Sequence, residues 1–344
     1  MVRFHSFLVL LALLVNPIVG RAESASSEPG RVDTDSAHLS FWDLPMIPDS
    51  EIDIGYWALR IARECDSTVD IQHYLRMLDT MAAGIRYMVG PRDGDMVRFM
   101  MAKMYQFDTG AWNGGQIFSY DLNDPLGEQP GARLLTTYLD THRGNCVSMP
   151  TLFLALMERV DPSVPFHGVA APMHLFCRFH DRQDGQVWNV EATNGGNRMR
   201  DEWIIEQLAI PQVAIDSGSY MRDLTKKEYV AYLLSILTSR YRRAGDYDTA
   251  LRYADMMLQL DPRSLLGLVQ KGSLLAWKGQ TLKERVISEN RYPTKTEMKE
   301  LDIYSVESEK YIDRARALGW KPESAESREN YLRTVDAARS SDAK

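Results

Sequence analysis

The sequence predicts an α+β core followed by an all-α tail, on three observations. Helix-period apolar stripes run from Asp53 to Tyr105. Three short strand-like runs lie between Phe166 and Val190, just after an amphipathic segment that opens at Cys146. Helical periodicity then resumes beyond Leu224. The chain of 344 residues, with 44% hydrophobic and 25% charged side chains, has the composition of a globular protein, which excludes a wholly disordered or collagen-like chain. Lysine and arginine number 40 against 47 aspartates and glutamates, a formal charge of -7, so a general nucleic-acid binder is not expected. Three cysteines are too few for a disulfide scaffold or a four-cysteine zinc site.

Residues 1–22 have the three parts of a secretory signal. Arg3 supplies the charge, Phe7–Val15 is the apolar run, Asn16 and Pro17 break it, and Gly20 and Ala22 are the small residues before a cleavage point after Ala22. An uncleaved membrane anchor is the competing reading, but the run is shorter than the ~20 residues a bilayer core requires. The expectation is therefore an exported protein, periplasmic or secreted, with no stable membrane insertion. Residues 23–50, rich in Ser, Asp and Pro, read as a flexible linker pinned near Trp42.

Within residues 51–222, Ile54, Trp57, Ala58 and Ile61 form one helical stripe, and Ile71, Tyr74, Leu75 and Leu78 another. The stretch Cys65–Asp70 between them supplies helix caps. A third helix is predicted over Met96–Tyr105, followed by a Gly/Asn loop from Thr109 to Gly115. Trp112 and Gln116 in that region are expected mainly to pack and turn the chain, with a substrate cleft as their alternative use. Leu134–Leu139 is a short helix and His142–Asn145 a turn. Apolar residues at 149, 152, 153, 156, 157 and 160 then mark a helix, and Pro150 must lie in its first turn, so Cys146 falls at its N-terminal end. Strands are predicted at Phe166–Ala170, Leu175–Phe179 and Val187–Val190. His174, Phe176 and Arg178 share one face of the middle strand, and Leu175, Cys177 and Phe179 the other.

Residues 223–338 read as a helical domain. Tyr241, Gly245, Tyr247, Ala250, Ala254, Leu260 and Pro262 match a tetratricopeptide (TPR) unit, and Gly279 follows Gly245 by the 34 residues of that repeat. A final helix over Asp302–Leu318 would cap the array. The plain meaning of such a tail is a helical packing surface, and its functional meaning a site for a protein partner.

Cys146, His174 and Glu191 are the candidate catalytic residues. A helix N-terminus and a nearby imidazolium favour a thiolate. The histidine can take and return the proton, and a carboxylate on the next strand can orient the ring. Free amides at the helix start would bind an oxyanion. Each residue also has a structural reading: a small buried thiol, a hydrogen-bonded strand-end histidine and a solvated carboxylate. Zinc held by His142, Cys146 and His174 is a weaker alternative, because no further ligand stands at motif spacing. Cys65 and Cys177 could pair after export, although Cys177 on the apolar strand face reads more simply as core.

From about Asp53 to Trp203 the chain resembles the transglutaminase-like core of SirB-type bacterial proteins, which often carry a TPR tail. The stretches that carry the resemblance are Ala58–Glu64 with Asp70, Tyr120 with Asp121, Arg143 with Gly144, Gly168–Phe176 and Asn194–Gly196. The resemblance implies the papain/transglutaminase-like fold, in which N-terminal helices and a central Cys-bearing helix pack against a small antiparallel sheet. It matches Cys146 to the nucleophile of active relatives, His174 to the histidine and Glu191 to the acid. The sequence keeps a cysteine that many SirB-type members lack. It also carries Glu where the wider superfamily usually has Asp, and the extra methylene shifts the carboxylate by about 1.5 Å, a distance large enough to matter for catalysis.

The function expected is that of a cysteine-dependent hydrolase or acyltransferase acting on amide, peptide or ester bonds, with no metal or organic cofactor and a peptide or protein as substrate. The competing expectation is an inactive transglutaminase-fold protein whose TPR-like tail acts as a protein-binding scaffold.

Overall fold

The computed structural model describes residues 39–322 except Pro130, together with Glu329 and Arg333. The expected signal segment and most of the expected linker lie outside the described residues. The end of that linker is built into the body: 3-10 turns at Phe41–Met46 and Asp49–Glu51 bury Phe41 and Leu44. Phe41 packs on Trp57 at 5.6 Å and on Tyr253 at 5.7 Å, between ring centroids.

Helices α1 (Ile54–Cys65), α2 (Ile71–Val89) and α3 (Asp95–Phe107) follow. Asp53 and Asp70 cap the first two by accepting hydrogen bonds from the Tyr56 and His73 amides. Strand β1 (Ser119–Tyr120) pairs in parallel with β2 (Arg143–Gly144), and α4 (Leu135–Thr141) lies between them in the chain. The central helix α5 (Ser148–Val160) starts two residues after Cys146 and has Pro150 in its first turn. Its sequence is amphipathic, yet it is buried nearly all round, Leu154 and Ala155 included. The cause is its position: α1, α2, α3 and α4 pack on it from one side and the sheet from the other.

That sheet is antiparallel in the order β3 (Phe166–Ala171), β4 (His174–His180), β5 (Val187–Glu191) and β6 (Asn197–Met199). Its fourth strand is too short to show an alternating pattern in sequence. Phe99 of α3 joins helices to sheet, stacking on Phe179 at 4.8 Å and on Phe153 at 5.9 Å. Such aromatic pairs contribute about 0.5–1.5 kcal/mol each beyond area burial. Cys177 is buried in this core, and Cys65 and Cys177 both carry free thiols rather than a bridge.

Two short helices, α6 (Asp201–Gln207) and α7 (Gln212–Asp216), lead to the tail helices α8 (Lys226–Arg243), α9 (Tyr247–Leu260), α10 (Leu265–Ser288) and α11 (Lys295–Ala317). Gly245 makes the α8–α9 turn with a φ of +77°, a conformation that glycine adopts without steric cost. Gly279 makes no turn. It lies inside α10, where the good helix formers Gln280, Leu282, Lys283 and Glu284 carry the helix on. Tyr304 of α11 packs over it, its Cβ 3.4 Å from where an added Cβ would stand, which is ordinary van der Waals contact. The last helix accordingly begins at Lys295, earlier than the periodicity around Asp302 indicates. No helix among the described residues is long and apolar enough to cross a membrane.

Candidate active site

Cys146 sits in the loop between β2 and α5, with its side chain partly exposed. The loop is held by Asn145, a buried residue that sequence reasoning passed over. Its Oδ1 accepts the Val147 amide at 3.0 Å and the Ser148 amide at 3.3 Å, and its Nδ2 donates to the Ala132 carbonyl at 3.0 Å. The Asn145 amide in turn donates to Ser148 Oγ at 3.1 Å. The readable signal is an Asn-x-x-Ser pattern before an apolar run, a side-chain cap of the kind that opens helices. This arrangement revises the expectation for an oxyanion. Asn145 consumes the amides of Val147 and Ser148, so among the described residues the Cys146 amide is the donor left without an internal partner at this helix start.

His174 begins β4 after a tight turn in which Met173 adopts a φ of +55°. Its Nε2 meets Glu191 Oε2 at 2.6 Å across the sheet. Glu191 ends β5 and is buried. Its other oxygen, Oε1, accepts from the Thr193 amide at 3.0 Å and from Thr193 Oγ1 at 2.6 Å. Both carboxylate oxygens are thus engaged, and the extra methylene of Glu is taken up in reaching the ring. With Nε2 committed to Glu191, Nδ1 is the ring nitrogen left for a second partner. The Cys146 Sγ also makes a long contact of 3.8 Å to the Met173 carbonyl.

The electrostatics favour an ion pair. Burial opposes the Cys146 thiolate, but the hydrogen bond with His174 and the charges of His174 and Arg133 outweigh it and lower the thiol below its usual range. Burial likewise opposes the His174 cation, yet the Glu191 charge and the hydrogen bonds to Cys146 and Glu191 raise it well above the ordinary histidine value. Glu191 is held low, against burial, by His174 and Thr193. The other thiols go the opposite way: burial pushes Cys65 up to about 11 and Cys177 well above its normal value. A partly exposed thiol shifted toward its thiolate, near an imidazole shifted toward its cation, is suited to attack on a carbonyl carbon. Arg133 had no sequence signal, because only folding brings α4's leading segment beside the thiol.

The structure therefore brings Cys146, His174 and Glu191 together. His142 is turned to other work, its ring 4.1 Å from that of Phe118. His142, Cys146 and His174 form no group able to hold a metal among the described residues.

Replacing Asn145 with Ala removes three hydrogen bonds around this loop. The expected result is a loss of about 1–2 kcal/mol in urea unfolding, the scale of a lost helix cap, together with slower alkylation of Cys146 in the still-folded protein. Unchanged alkylation would show that the loop needs no such brace.

Two comparisons bear on this arrangement. Residues 72–234 match the family model of the Transglutaminase-like superfamily, so the protein carries a transglutaminase-like domain over the segment that holds all three site residues. A UPF0162 protein of Buchnera aphidicola subsp. Baizongia pistaciae (strain Bp) is 23% identical over 137 residues, covering 39% of this chain and 49% of the relative. The chain thus spans about half the length of that curated relative. No solved structure matches it.

Proposed function

We propose that this protein is an exported thiol acyl-transfer enzyme of SirB type that acts on amide, peptide or ester bonds through Cys146, His174 and Glu191. The reading rests on one observation above the others: a single imidazole ring is held at 2.6 Å by a saturated, buried carboxylate, and it lies close enough to a thiol at a helix start to lower that thiol. In the reaction the Cys146 thiolate attacks the substrate carbonyl carbon, and the new C–S bond pushes the carbonyl electrons onto oxygen, where the Cys146 amide can donate. Collapse of this intermediate breaks the bond to the leaving amine or alcohol, which takes its proton from the His174 imidazolium. Neutral His174 then deprotonates water or an acceptor amine, which attacks the thioester and regenerates the thiolate. Glu191 holds the ring in place and compensates its charge.

The partner expected in the cleft is a peptide or protein. Helices α8–α11, with the TPR-like α8–α9 unit, would offer a separate surface to a protein partner. The test uses p-nitrophenyl acetate as probe, with acid quench and mass spectrometry. A thioester acetyl group on Cys146 is expected in the wild type and absent in Cys146→Ala. Equal ester hydrolysis by both proteins, with no acetyl on Cys146, would overturn the reading. Dansylcadaverine added to the same reaction distinguishes transfer to an amine from transfer to water.

A further inference from the structure

Beyond the thiol site, the fold assembles a further cluster of chemically capable side chains among the described residues. His167 lies on β3 and His180 at the far end of β4. The pairing of His167 with Arg178 puts His167 and His180 on the same face of the sheet. Asp223 arrives from the segment before α8, docked on the free edge of β3 by a bridge to Val169. Backbone hydrogen bonds flank it on both sides, from the Met221 amide to the Ala170 carbonyl at 3.0 Å and from the Leu224 amide to the Gly168 carbonyl at 2.9 Å. One ligand-capable atom from each of these three side chains lies within 4.8 Å of the others, and His180 Nε2 is 2.8 Å from Asp223 Oδ2.

We propose that His167, His180 and Asp223 form a binding site for one divalent first-row transition ion, with Zn2+ as the reference ligand. Two imidazoles and a carboxylate are a donor set suited to zinc and its neighbours rather than to calcium or magnesium, which prefer oxygen ligands throughout. Donors held about 2.0–2.2 Å from zinc stand about 3.3–3.5 Å apart in a tetrahedron. The longest separation here therefore closes by no more than about 1.5 Å, which is within reach of side-chain rotation.

The supporting contacts are those a metal site needs. The His167 ring stands edge-on to that of His180, 5.7 Å apart between centroids, so the two imidazoles are already held together. Arg178 holds Asp223 Oδ1 at 3.3 Å and leaves Oδ2 to the cluster. Its positive charge is shared with Asp201 at 3.1 Å, so it does not oppose the ion unscreened. The three ligands leave at least one coordination position open. Six residues of extended strand, about 20 Å, separate His180 from His174, so this site is distinct from the thiol site and needs none of its residues.

Equilibrium dialysis against Zn2+ at pH 7.5, with metal read by mass spectrometry, tests the proposal. Wild type and Cys146→Ala are expected to bind one ion with equal affinity. His167→Gln, His180→Gln and Asp223→Asn should each weaken binding at least tenfold while keeping the wild-type circular dichroism spectrum. Should a variant fail to fold, wild-type protein is read by the loss of diethylpyrocarbonate modification of His167 and His180 on adding Zn2+. The proposal is overturned if wild type binds no zinc, if the three substitutions leave binding unchanged, if Cys146→Ala abolishes it, or if zinc leaves both histidines equally modified.

Discussion

Alanine at position 174 is expected to slow iodoacetamide alkylation of Cys146 at pH 6 by about 10- to 100-fold. An ordinary thiol with a pKa near 8.5 is only about 0.3% thiolate at that pH. In the folded protein the His174 hydrogen bond and charge lower the Cys146 thiol against the cost of burial, so a far larger share is ionised. Removing the ring leaves burial and the Glu191 charge, both of which raise the thiol, opposed by the Arg133 charge alone. The loss falls short of the full ratio of thiolate fractions, because a more basic thiolate is intrinsically the better nucleophile.

The sign of the pH dependence follows from the same shifts. Labelling should rise through a pH below the ordinary thiol range, because Cys146 is lowered. Turnover should fall only above the ordinary histidine range, because His174 is raised and must stay protonated to serve the leaving group. Cys65, raised to about 11, and the buried Cys177 serve as internal controls that should label slowly throughout. Peptide mapping after timed quenching measures all three. Equal rates for Cys146 and Cys65 at pH 6 would remove the ion pair from consideration.

The second large effect concerns how the tail is fastened to the core. A Cβ at Gly168 would stand 2.1 Å and 2.4 Å from ring carbons of Tyr229 in the first turn of α8. Tyr229 is fully buried and its hydroxyl is 3.0 Å from Thr151 Oγ1 of α5, so the ring has nowhere to swing. The strand cannot yield easily either, because Gly168 is paired with Cys177 on one side and accepts the Leu224 amide on the other. Gly168→Ala should therefore cost about 3 kcal/mol in urea unfolding, the upper part of the range for overpacking. Adding Tyr229→Leu to Gly168→Ala should recover part of that loss, a non-additivity that marks direct contact. A Gly168→Ala protein within 0.5 kcal/mol of wild type would mean that β3 and α8 are less tightly joined than these distances require.

Much of the site could be read along the chain because its signals are local. Pro150 restricts where a helix can start, so the position of Cys146 at that start follows from the covalent geometry of proline. Strand period places His174 at the beginning of one run and Glu191 at the end of the next, and an antiparallel pairing brings such ends together. Asn145 was legible in principle, as a cap, but its side chain serves the loop rather than the chemistry. Arg133, Thr193 and the Met173 carbonyl carried no comparable signal, since their part depends on which loops meet. The 34-residue spacing of Gly245 and Gly279 does not by itself say what each glycine does. Gly245 takes a positive φ in a turn, whereas Gly279 lies inside a continuous helix.

Local sequence alone determined that this protein has a cysteine-headed helix beside a small antiparallel sheet, with helices before and after it, because proline geometry and side-chain periodicity act over a few residues. The tertiary structure decided that the sulfur lies near an imidazole already held by a carboxylate, that Asn145 rather than the oxyanion takes two of the helix-start amides, and that His167, His180 and Asp223 meet at the edge of β3. These depend on side chains far apart in the chain reaching one point, which hydrogen bonding and close packing specify only after the backbone has folded.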